Sequence, residues 1–255
     1  MSAPGHAFRV AFACSTDIGV HREENQDSYG VFPGEGQPAP DGRIFIVADG
    51  MGGHRGGREA SAMAVEVVGG AFAAPPEGDV LSALERAIGD ANEAILTEGS
   101  ANPNLRGMGT TCSVLHLHGD EGRVAHVGDS RIYRITPDAI TQLTDDHSRV
   151  AEMVRRGLLS DEEARWHPER SLLYRALGVT TGIDVDVAGP FPLRPDERYL
   201  LCTDGLVNLV TDDEIRRIVL RNPPADACEL LTDLALRRGG HDNITIIIVH
   251  LEPAS

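Results

Sequence analysis

The chain has 255 residues, of which 41% are hydrophobic and 24% charged, as in ordinary globular proteins and unlike disordered or fibrous chains. Acidic residues outnumber basic ones 39 to 23, and the net charge of −16 argues against a nucleic-acid partner, because binding to phosphate backbones needs clustered cations. The acidic excess fits either cation sites or simple solubility. The length predicts that residues 1–255 form one large domain.

The cellular location is predicted from the apolar segments and the cysteines. Near the N-terminus we find no signal-peptide pattern, and no apolar run approaches the roughly 20 residues of a membrane span. The cysteines are widely spaced, which predicts free, buried thiols. They are Cys14, Cys112, Cys202 and Cys228. We therefore expect a cytoplasmic protein with no membrane partner. A monomer is also expected, although the sequence does not itself determine the oligomeric state.

The N-terminal part of the chain begins with strand patterns and continues with helices. Residues 9–14 and 43–48 are β-rich runs typical of strands. A helix is predicted over about residues 57–73. The clearest helix follows Asp79, a suitable N-cap, and has apolar residues at three- and four-residue spacing along one face. These apolar residues are Leu81, Leu84, Ile88, Ala91 and Ile95.

The middle of the chain carries further strands and one charged segment. Strands are predicted at 112–118, 123–127 and 131–135, and the short loop between the first two indicates an antiparallel hairpin. Residues 147–178 are charged and weakly periodic, which indicates a surface excursion. This excursion is either a solvated helical pair with no further role or a flap beside an active site that shapes partner choice.

The C-terminal part completes the predicted fold. A strand at 199–203 precedes a helix that opens with a capping box of Thr211 and Glu214, and a second helix covers 225–237. The last strand, 244–251, is apolar at nearly every position, as expected for a central strand covered on both faces. These elements predict an α+β fold with two central antiparallel β-sheets between pairs of α-helices, a four-layer αββα arrangement with a flap insertion.

Several aspartates share one sequence context. Each lies at or just beyond the end of an apolar strand, beside Gly, Ser or Asn. They are Asp49, Asp129, Asp204 and Asp242. A single such aspartate is explained by turn formation, but four together indicate strand ends that converge.

A convergent group of carboxylates predicts a particular kind of site. Without cations its members would raise each other's pKa, so the cluster implies bound metal or shared protons. No Cys or His pair stands beside it at ligand spacing, which favours Mg²⁺ or Mn²⁺ over Zn²⁺. Glycine permits a close approach of the backbone, so the carbonyl of Gly50 is a further candidate ligand.

Other phosphate and metal chemistries lack their motifs. The sequence contains no Gly-x-x-x-x-Gly-Lys-Ser/Thr loop and no His-Glu-x-x-His pair. No cysteine is followed by an arginine six positions later, as a thiolate phosphatase loop would require. Asp184 and Asp186 resemble a nucleophilic Asp-x-Asp pair, but their mid-chain position after a glycine turn is typical of an exposed strand.

Six short motifs occur in a characteristic order. They are Thr-Asp-Ile-Gly-Val-His-Arg-Glu-Glu-Asn-Gln-Asp at 16–27, Val-Ala-Asp-Gly-Met-Gly-Gly-His at 47–54, Gly-Met-Gly-Thr-Thr at 107–111, Val-Gly-Asp-Ser-Arg at 127–131, Thr-Asp-Gly-Leu at 203–206 and Gly-His-Asp-Asn-Ile-Thr at 240–245. Leu-Thr-Asp-Asp-His-Ser at 143–148 lies among them. Together they resemble the metal-dependent type 2C (PPM) family of serine/threonine protein phosphatases, in its bacterial form. The similarity spans nearly the whole chain.

This resemblance implies two Mn²⁺ or Mg²⁺ ions in a core site and a third, weaker ion beside it. The implied ligands are Asp49, Asp204 and Asp242 for the first ion, Asp49, Asp27 and the carbonyl of Gly50 for the second, and Asp129 for the third. Asn208 stands where some members of the family have an aspartate, and an amide binds a cation more weakly than a carboxylate does. Occupancy of the third position therefore stays open.

The resemblance also implies catalytic residues. Arg22 matches the position that binds the substrate phosphate, a task suited to the two parallel hydrogen bonds of a guanidinium. His54 matches a histidine near the substrate in bacterial members, so the implied catalytic residues are Arg22, Asp49 and His54. Met51 replaces the histidine that animal enzymes place after the Asp-Gly pair, which leaves the general acid unassigned.

The implied activity is hydrolysis of phosphoserine and phosphothreonine in proteins, by a water that bridges the two ions and attacks phosphorus without a phosphoenzyme. The implied partners are phosphorylated substrates of a serine/threonine kinase. Two alternatives stay open at this point. One is a phosphomonoesterase or pyrophosphatase acting on small molecules, and the other is a non-catalytic regulator that binds phosphoproteins.

Overall fold

The computed structural model describes residues 8–39, 42–52, 56–76 and 78–254. The strands are β1 (Phe8–Asp17), β2 (Asp27–Phe32), β3 (Arg43–Met51), β4 (Gly109–Thr110), β5 (Cys112–His118), β6 (Glu121–Val127), β7 (Arg131–Ile135), β8 (Ile140–Gln142), β9 (Asp186–Pro192), β10 (Arg198–Cys202) and β11 (Ile244–Pro253). The helices are α1 (Gly56–Ala71), α2 (Val80–Ala101), α3 (Arg149–Arg155), α4 (Asp161–Arg165), α5 (Asp204–Val207), α6 (Asp212–Arg221) and α7 (Pro224–Arg237).

The strands form two antiparallel sheets. One has the order β1-β11-β10-β7-β8, and the other has the order β2-β3-β5-β6-β9, with the short β4 paired to β3. The predicted hairpin is confirmed, since β5 and β6 pair in antiparallel register. The last strand, β11, lies between β1 and β10 as predicted, and its apolar side chains are buried.

Three apolar clusters hold the layers together. The first packs α1 and α2 against one sheet, with Val68, Leu84 and Ile88 at its centre. The second packs α6 and α7 against the other sheet. The third fills the space between the sheets, where Phe45 from β3 and Leu201 from β10 are fully buried. This arrangement confirms the predicted four layers, with helices outside two central sheets.

The helix starts follow the predicted capping chemistry. The side chain of Asp79 accepts a hydrogen bond from the backbone of Ser82 at the start of α2. Thr211 and Glu214 form the predicted capping box at the start of α6. These contacts satisfy backbone donors that a helix start otherwise leaves without partners.

Some elements differ from the sequence prediction. The strands β2, β4 and β8 and the short helix α5 were not predicted, and β9 was indicated only by the interpretation of Asp184 and Asp186 as part of an exposed strand. In the 147–178 segment, α3 and α4 are joined by turns, and a bridge between Ser148 and Leu173 brings its ends together. Cys112, Cys202 and Cys228 are buried free thiols as predicted, whereas Cys14 is only partly buried. Among the helices in the described ranges, none is long and apolar enough to cross a membrane.

Candidate functional site

Strand register brings the candidate aspartates to one end of both sheets. In the antiparallel pair β2–β3, Asp27 lies directly opposite Asp49. In the other sheet, the end of β10 lies beside the start of β11. Asp204 follows β10 and Asp242 precedes β11, so both aspartates lie at this end of the sheet. The hydroxyl of Thr203 donates a hydrogen bond to Asp27 Oδ2 at 2.8 Å and thereby connects the two sheets at this point.

The backbone of Asp49 is held on both sides by two threonines. Its N–H donates to Thr111 Oγ1 at 2.8 Å, and its carbonyl accepts from the N–H of Thr111 and the hydroxyl of Thr110, each at 2.9 Å. Thr111 Oγ1 also lies 2.7 Å from the hydroxyl of Ser130, the neighbour of Asp129. A short chain of hydroxyl contacts therefore connects Asp49 to the turn that carries Asp129.

Two glycines allow the surrounding backbone to approach the cluster. A Cβ atom on Gly50 would lie 2.1 Å from the carbonyl oxygen of Gly57. A Cβ atom on Gly205 would lie 2.0 Å from the carbonyl oxygen of Asn243. Both separations are far inside van der Waals contact, so only glycine fits. These contacts explain why glycine follows Asp49 and Asp204.

Asn243 fixes the loop that carries Arg22. Its side-chain oxygen accepts from the N–H of Gln26 at 2.8 Å, and its amide nitrogen donates to the carbonyls of Ile18 and Glu24 at 2.9 and 3.1 Å. These three bonds attach residues 18–26 to the start of β11. The aspartate cluster and the loop are thus held in one arrangement.

Burial and mutual repulsion shift the pKa values of the cluster upward. Burial raises the pKa of Asp27 to about 7, with contributions from the charges of Asp204 and Asp242. Burial also raises the pKa of Asp204 to about 6, and the charge of Asp242 adds to this shift. The pKa of Asp49 and that of Asp129 lie well above their ordinary values, again first because of burial and then because of neighbouring carboxylates.

Two buried carboxylate oxygens in the cluster have no hydrogen-bond donor among the described residues. Oδ1 of Asp27 and Oδ1 of Asp204 are buried and accept no hydrogen bond from any residue that the structure describes. Buried polar atoms of this kind cost free energy unless a donor or a cation satisfies them. All-oxygen ligands suit Mg²⁺ and Mn²⁺, so the donor set fits the divalent ions that the sequence predicts.

Asp242 is paired with Arg22 beside the aspartate cluster. Within the described part of the chain, no group of three His, Cys, Asp or Glu side chains is already arranged to hold a metal. The carboxylate of Asp242 instead accepts a hydrogen bond from the Arg22 guanidinium at 2.6 Å. That bond raises the pKa of Arg22. This bond places the Arg22 guanidinium beside the aspartate cluster.

The remaining predicted site residues are placed as follows. Half of the Arg22 side chain is exposed beside Asp242, where it can reach a ligand. Asn208 donates to Asp204 Oδ2 at 3.0 Å, so it touches the cluster. His54 lies outside the described residues. Asp184 is exposed just before β9, and Asp186 begins that strand with ion pairs to other residues, in agreement with an exposed strand.

Sequence reasoning did not identify the residues that support the cluster. Thr111, Thr203 and Asn243 make the hydrogen bonds that position the aspartates and the loop. Each of them lies inside one of the quoted motifs, next to or near an aspartate, and this position was the available signal. The arrangement as a whole offers anionic oxygens for cations and, in Arg22, a cation for an anionic ligand.

Comparisons with known proteins identify similar chains. A family model described as protein phosphatase 2C matches residues 20–232. The serine/threonine phosphatase stp of Listeria innocua is 37% identical over 239 residues, which cover 92% of this chain and 93% of that protein. The serine/threonine protein phosphatase PstP of Mycobacterium tuberculosis is 37% identical over 240 residues, covering 94% of this chain. The chain spans only 44% of the length of PstP.

A solved structure of a serine/threonine protein phosphatase has a similar fold. The catalytic domain of the serine/threonine protein phosphatase PstP, crystallised with two manganese ions, superposes with a TM-score of 0.82 at 33% sequence identity. The match covers 95% of this chain and 98% of that structure. The two-sheet architecture is therefore shared.

Proposed function

Because the chain belongs to the protein phosphatase 2C family, we propose that it hydrolyses phosphoserine and phosphothreonine in proteins, with the help of two Mn²⁺ or Mg²⁺ ions. The observation that carries this proposal is the group of buried aspartates, in which Oδ1 of Asp27 and Oδ1 of Asp204 accept no hydrogen bond from the described residues. The manganese-bound PstP structure supports the choice of ion.

The proposed ligands come from both sheets. Asp49 would contribute to holding both ions, and each of the other ligands would help to hold one ion. They are Asp204 and Asp242 for the first ion, Asp27 and the carbonyl of Gly50 for the second, and Asp129, with Asn208 beside it, for a third and weaker ion. Bound cations would offset the burial and the mutual repulsion that raise the pKa values of Asp27 and Asp204.

The residues of the chain position the substrate. Arg22 leaves Asp242 and donates two parallel hydrogen bonds to the phosphate, for which its half-exposed side chain is suited. When bound, the ions supply Lewis acidity that activates water for attack on phosphorus and neutralises the phosphate oxygens. His54 is proposed near the leaving group, as in bacterial members of the family.

We propose direct attack by water, and a phosphoenzyme formed on a cysteine is disfavoured. Burial raises the pKa of Cys112 and of Cys228 to about 12, so these thiols are protonated and poor nucleophiles near neutral pH. The free thiols also support a reducing compartment, and we propose that the protein acts as a monomer in the cytoplasm on substrates of a serine/threonine kinase. The 147–178 segment is proposed as a flap within a single catalytic domain.

One assay tests both the reaction and its cofactor. A phosphothreonine peptide is incubated with the protein in Mn²⁺, in EDTA, and in EDTA followed by excess Mn²⁺. We expect turnover that chelation removes and Mn²⁺ restores, and we expect Asp49→Asn to abolish turnover while Asp233→Asn, at an exposed helix position, leaves it unchanged. Activity that is indifferent to EDTA would contradict the proposal.

The same assay separates the remaining alternatives. Nucleotides and inorganic pyrophosphate are compared with the phosphopeptide at equal concentration. Faster hydrolysis of the small molecules would assign a different substrate class. Binding of the phosphopeptide without any turnover in Mn²⁺ would assign a non-catalytic regulator.

A further inference from the structure

A cavity of about 430 Å³ lies beside the aspartate cluster and extends to the 147–178 segment. Asp129 and Asp204 line it from the cluster, and Arg165 and Arg170 line it from the 147–178 segment. The cavity therefore joins the proposed catalytic centre to two cationic side chains. A polypeptide whose phosphorylated residue is bound at the cluster would pass this cavity.

The arginines that line the cavity differ in their partners. Arg131 is neutralised by Asp146, to which it donates at distances of 2.7–3.1 Å. Arg155 donates to Glu152 at 2.9 Å and to a tyrosine hydroxyl at 3.0 Å. Arg165 and Arg170 form no hydrogen bond or ion pair with any side chain that the structure describes. In a chain with 39 acidic and 23 basic residues, arginines without a carboxylate partner are available to a ligand.

Local structure holds these two arginines in place. Ser160 and Glu163 form a capping box that begins α4, and Arg165 is the last residue of that helix. The following turn contains Arg170, whose N–H donates to the carbonyl of His167 at 3.1 Å. The backbone that carries both guanidinium groups is thus ordered by its own hydrogen bonds.

We infer that Arg165 and Arg170 bind an anionic group of the protein substrate, a carboxylate or a second phosphate, a few residues from the phosphorylated side chain. This inference rests on the proposed function and adds a substrate preference to it. A guanidinium recognises both anions through two parallel hydrogen bonds. With a net charge of −16, the protein otherwise repels acidic substrates, so local cations decide which of them are accepted.

The kinetic test compares matched peptides. One phosphothreonine peptide carries alanine at the flanking positions, a second carries glutamate, and a third carries phosphoserine there. We expect kcat/KM for both acidic peptides to exceed that of the alanine peptide by about 10-fold or more, since hydrogen bonds to charged groups are strong. In the Arg165→Gln/Arg170→Gln variant this ratio should fall towards 1, with turnover of the alanine peptide and of p-nitrophenyl phosphate unchanged.

A matched variant and a charge reversal complete the test. Arg156→Gln removes an arginine of the same segment that pairs with Glu152 and does not line the cavity, and it should keep the ratio. Arg165→Glu should reverse the preference in favour of peptides with flanking lysines. An unchanged ratio in the double variant, or an equal loss in Arg156→Gln, overturns the inference.

Binding can be measured separately from catalysis. Trp166 is the only tryptophan of the chain, adjoins Arg165 and is 76% exposed. In EDTA, the acidic phosphopeptides should change its fluorescence at lower concentration than the alanine peptide, and the double variant should lose this difference. If no substrate is turned over in Mn²⁺, the proposed catalytic function is wrong. The fluorescence titration then still tests whether Arg165 and Arg170 bind an anionic group. Equal affinity for all three peptides overturns it.

Discussion

The carboxyl group of Asp27 offers a quantitative test of the buried aspartate cluster. Burial and the charges of Asp204 and Asp242 raise its pKa from 3.8 to about 7. In the unfolded chain the same carboxyl loses its proton near pH 4, so between about pH 4 and 7 the folded protein binds more protons than the unfolded chain. In the metal-free protein, the free energy of unfolding therefore falls as the pH rises through this window.

The size of this effect follows from the shift. The difference between about 7 and 3.8 is about three units, and each unit corresponds to about 1.36 kcal/mol, so the ionised carboxyl destabilises the metal-free protein by about 4 kcal/mol at pH 8. Asp27→Asn removes the charge and keeps an acceptor for the Thr203 hydroxyl. Since 1 kcal/mol shifts Tm by roughly 2–4 °C in a chain of this size, we expect a Tm roughly 8–16 °C higher in the variant.

Thermal melting in EDTA at pH 5 and pH 8, followed by circular dichroism, measures the effect. Wild type should lose stability between the two pH values, Asp27→Asn should lose much less, and the exposed control Asp233→Asn should behave as wild type. Added Mn²⁺ should stabilise wild type by about 2.7 kcal/mol at a hundredfold excess over Kd, and the variant by less. A variant that melts below wild type at pH 8 in EDTA would refute the repulsion argument.

Three further predictions concern the residues around the cluster. Arg22→Lys should lower kcat/KM for the phosphothreonine peptide by about 10-fold, because an ammonium group cannot make the paired hydrogen bonds. Gly205→Ala should destabilise the protein by about 3 kcal/mol, since the added Cβ meets Asn243 O at 2.0 Å, whereas Gly89→Ala, which meets nothing within 4 Å, should be neutral or stabilising in urea unfolding. Asn243→Ala should cost about 3 kcal/mol through its three lost hydrogen bonds and also reduce phosphatase turnover; unchanged stability would show that the loop is held by other contacts.

The sequence predicted the interior strands of both sheets and the edge strand β1, indicated the edge strand β9 only weakly, and missed the edge strands β2 and β8. The strands β2, β8 and β9 each lie at the end of a sheet order, where one side has no neighbouring strand. In β9 nearly every residue is exposed and two prolines interrupt the pattern, β8 has three residues, and β2 begins with a charged aspartate and contains Gly30. Apolar periodicity reports burial, so strands that bury little give little signal.

The sequence predicted which charged residues form the candidate site, but it did not predict the contacts between them. Asp49 and Asp204 stand out because an apolar strand precedes each and a glycine follows each. The direct pairing of Asp27 with Asp49, and the bond from Thr203 to Asp27, depend on register and on the packing of the two sheets, which no local pattern encodes. Arg165 and Arg170 lie in a charged surface segment. The sequence of this segment does not distinguish arginines that pair with a carboxylate from arginines that do not.

The pairing of the first strand with the last has a consequence for biosynthesis. β1 and β11 pair along their whole length, and Asp27 and Asp242, near opposite ends of the chain, belong to the same cluster. A nascent chain cannot assemble this site until β11 has left the ribosome, because β11 follows the other described strands in sequence and pairs with both β1 and β10. The proposed hydrolytic activity is thereby withheld from translation products that lack β11.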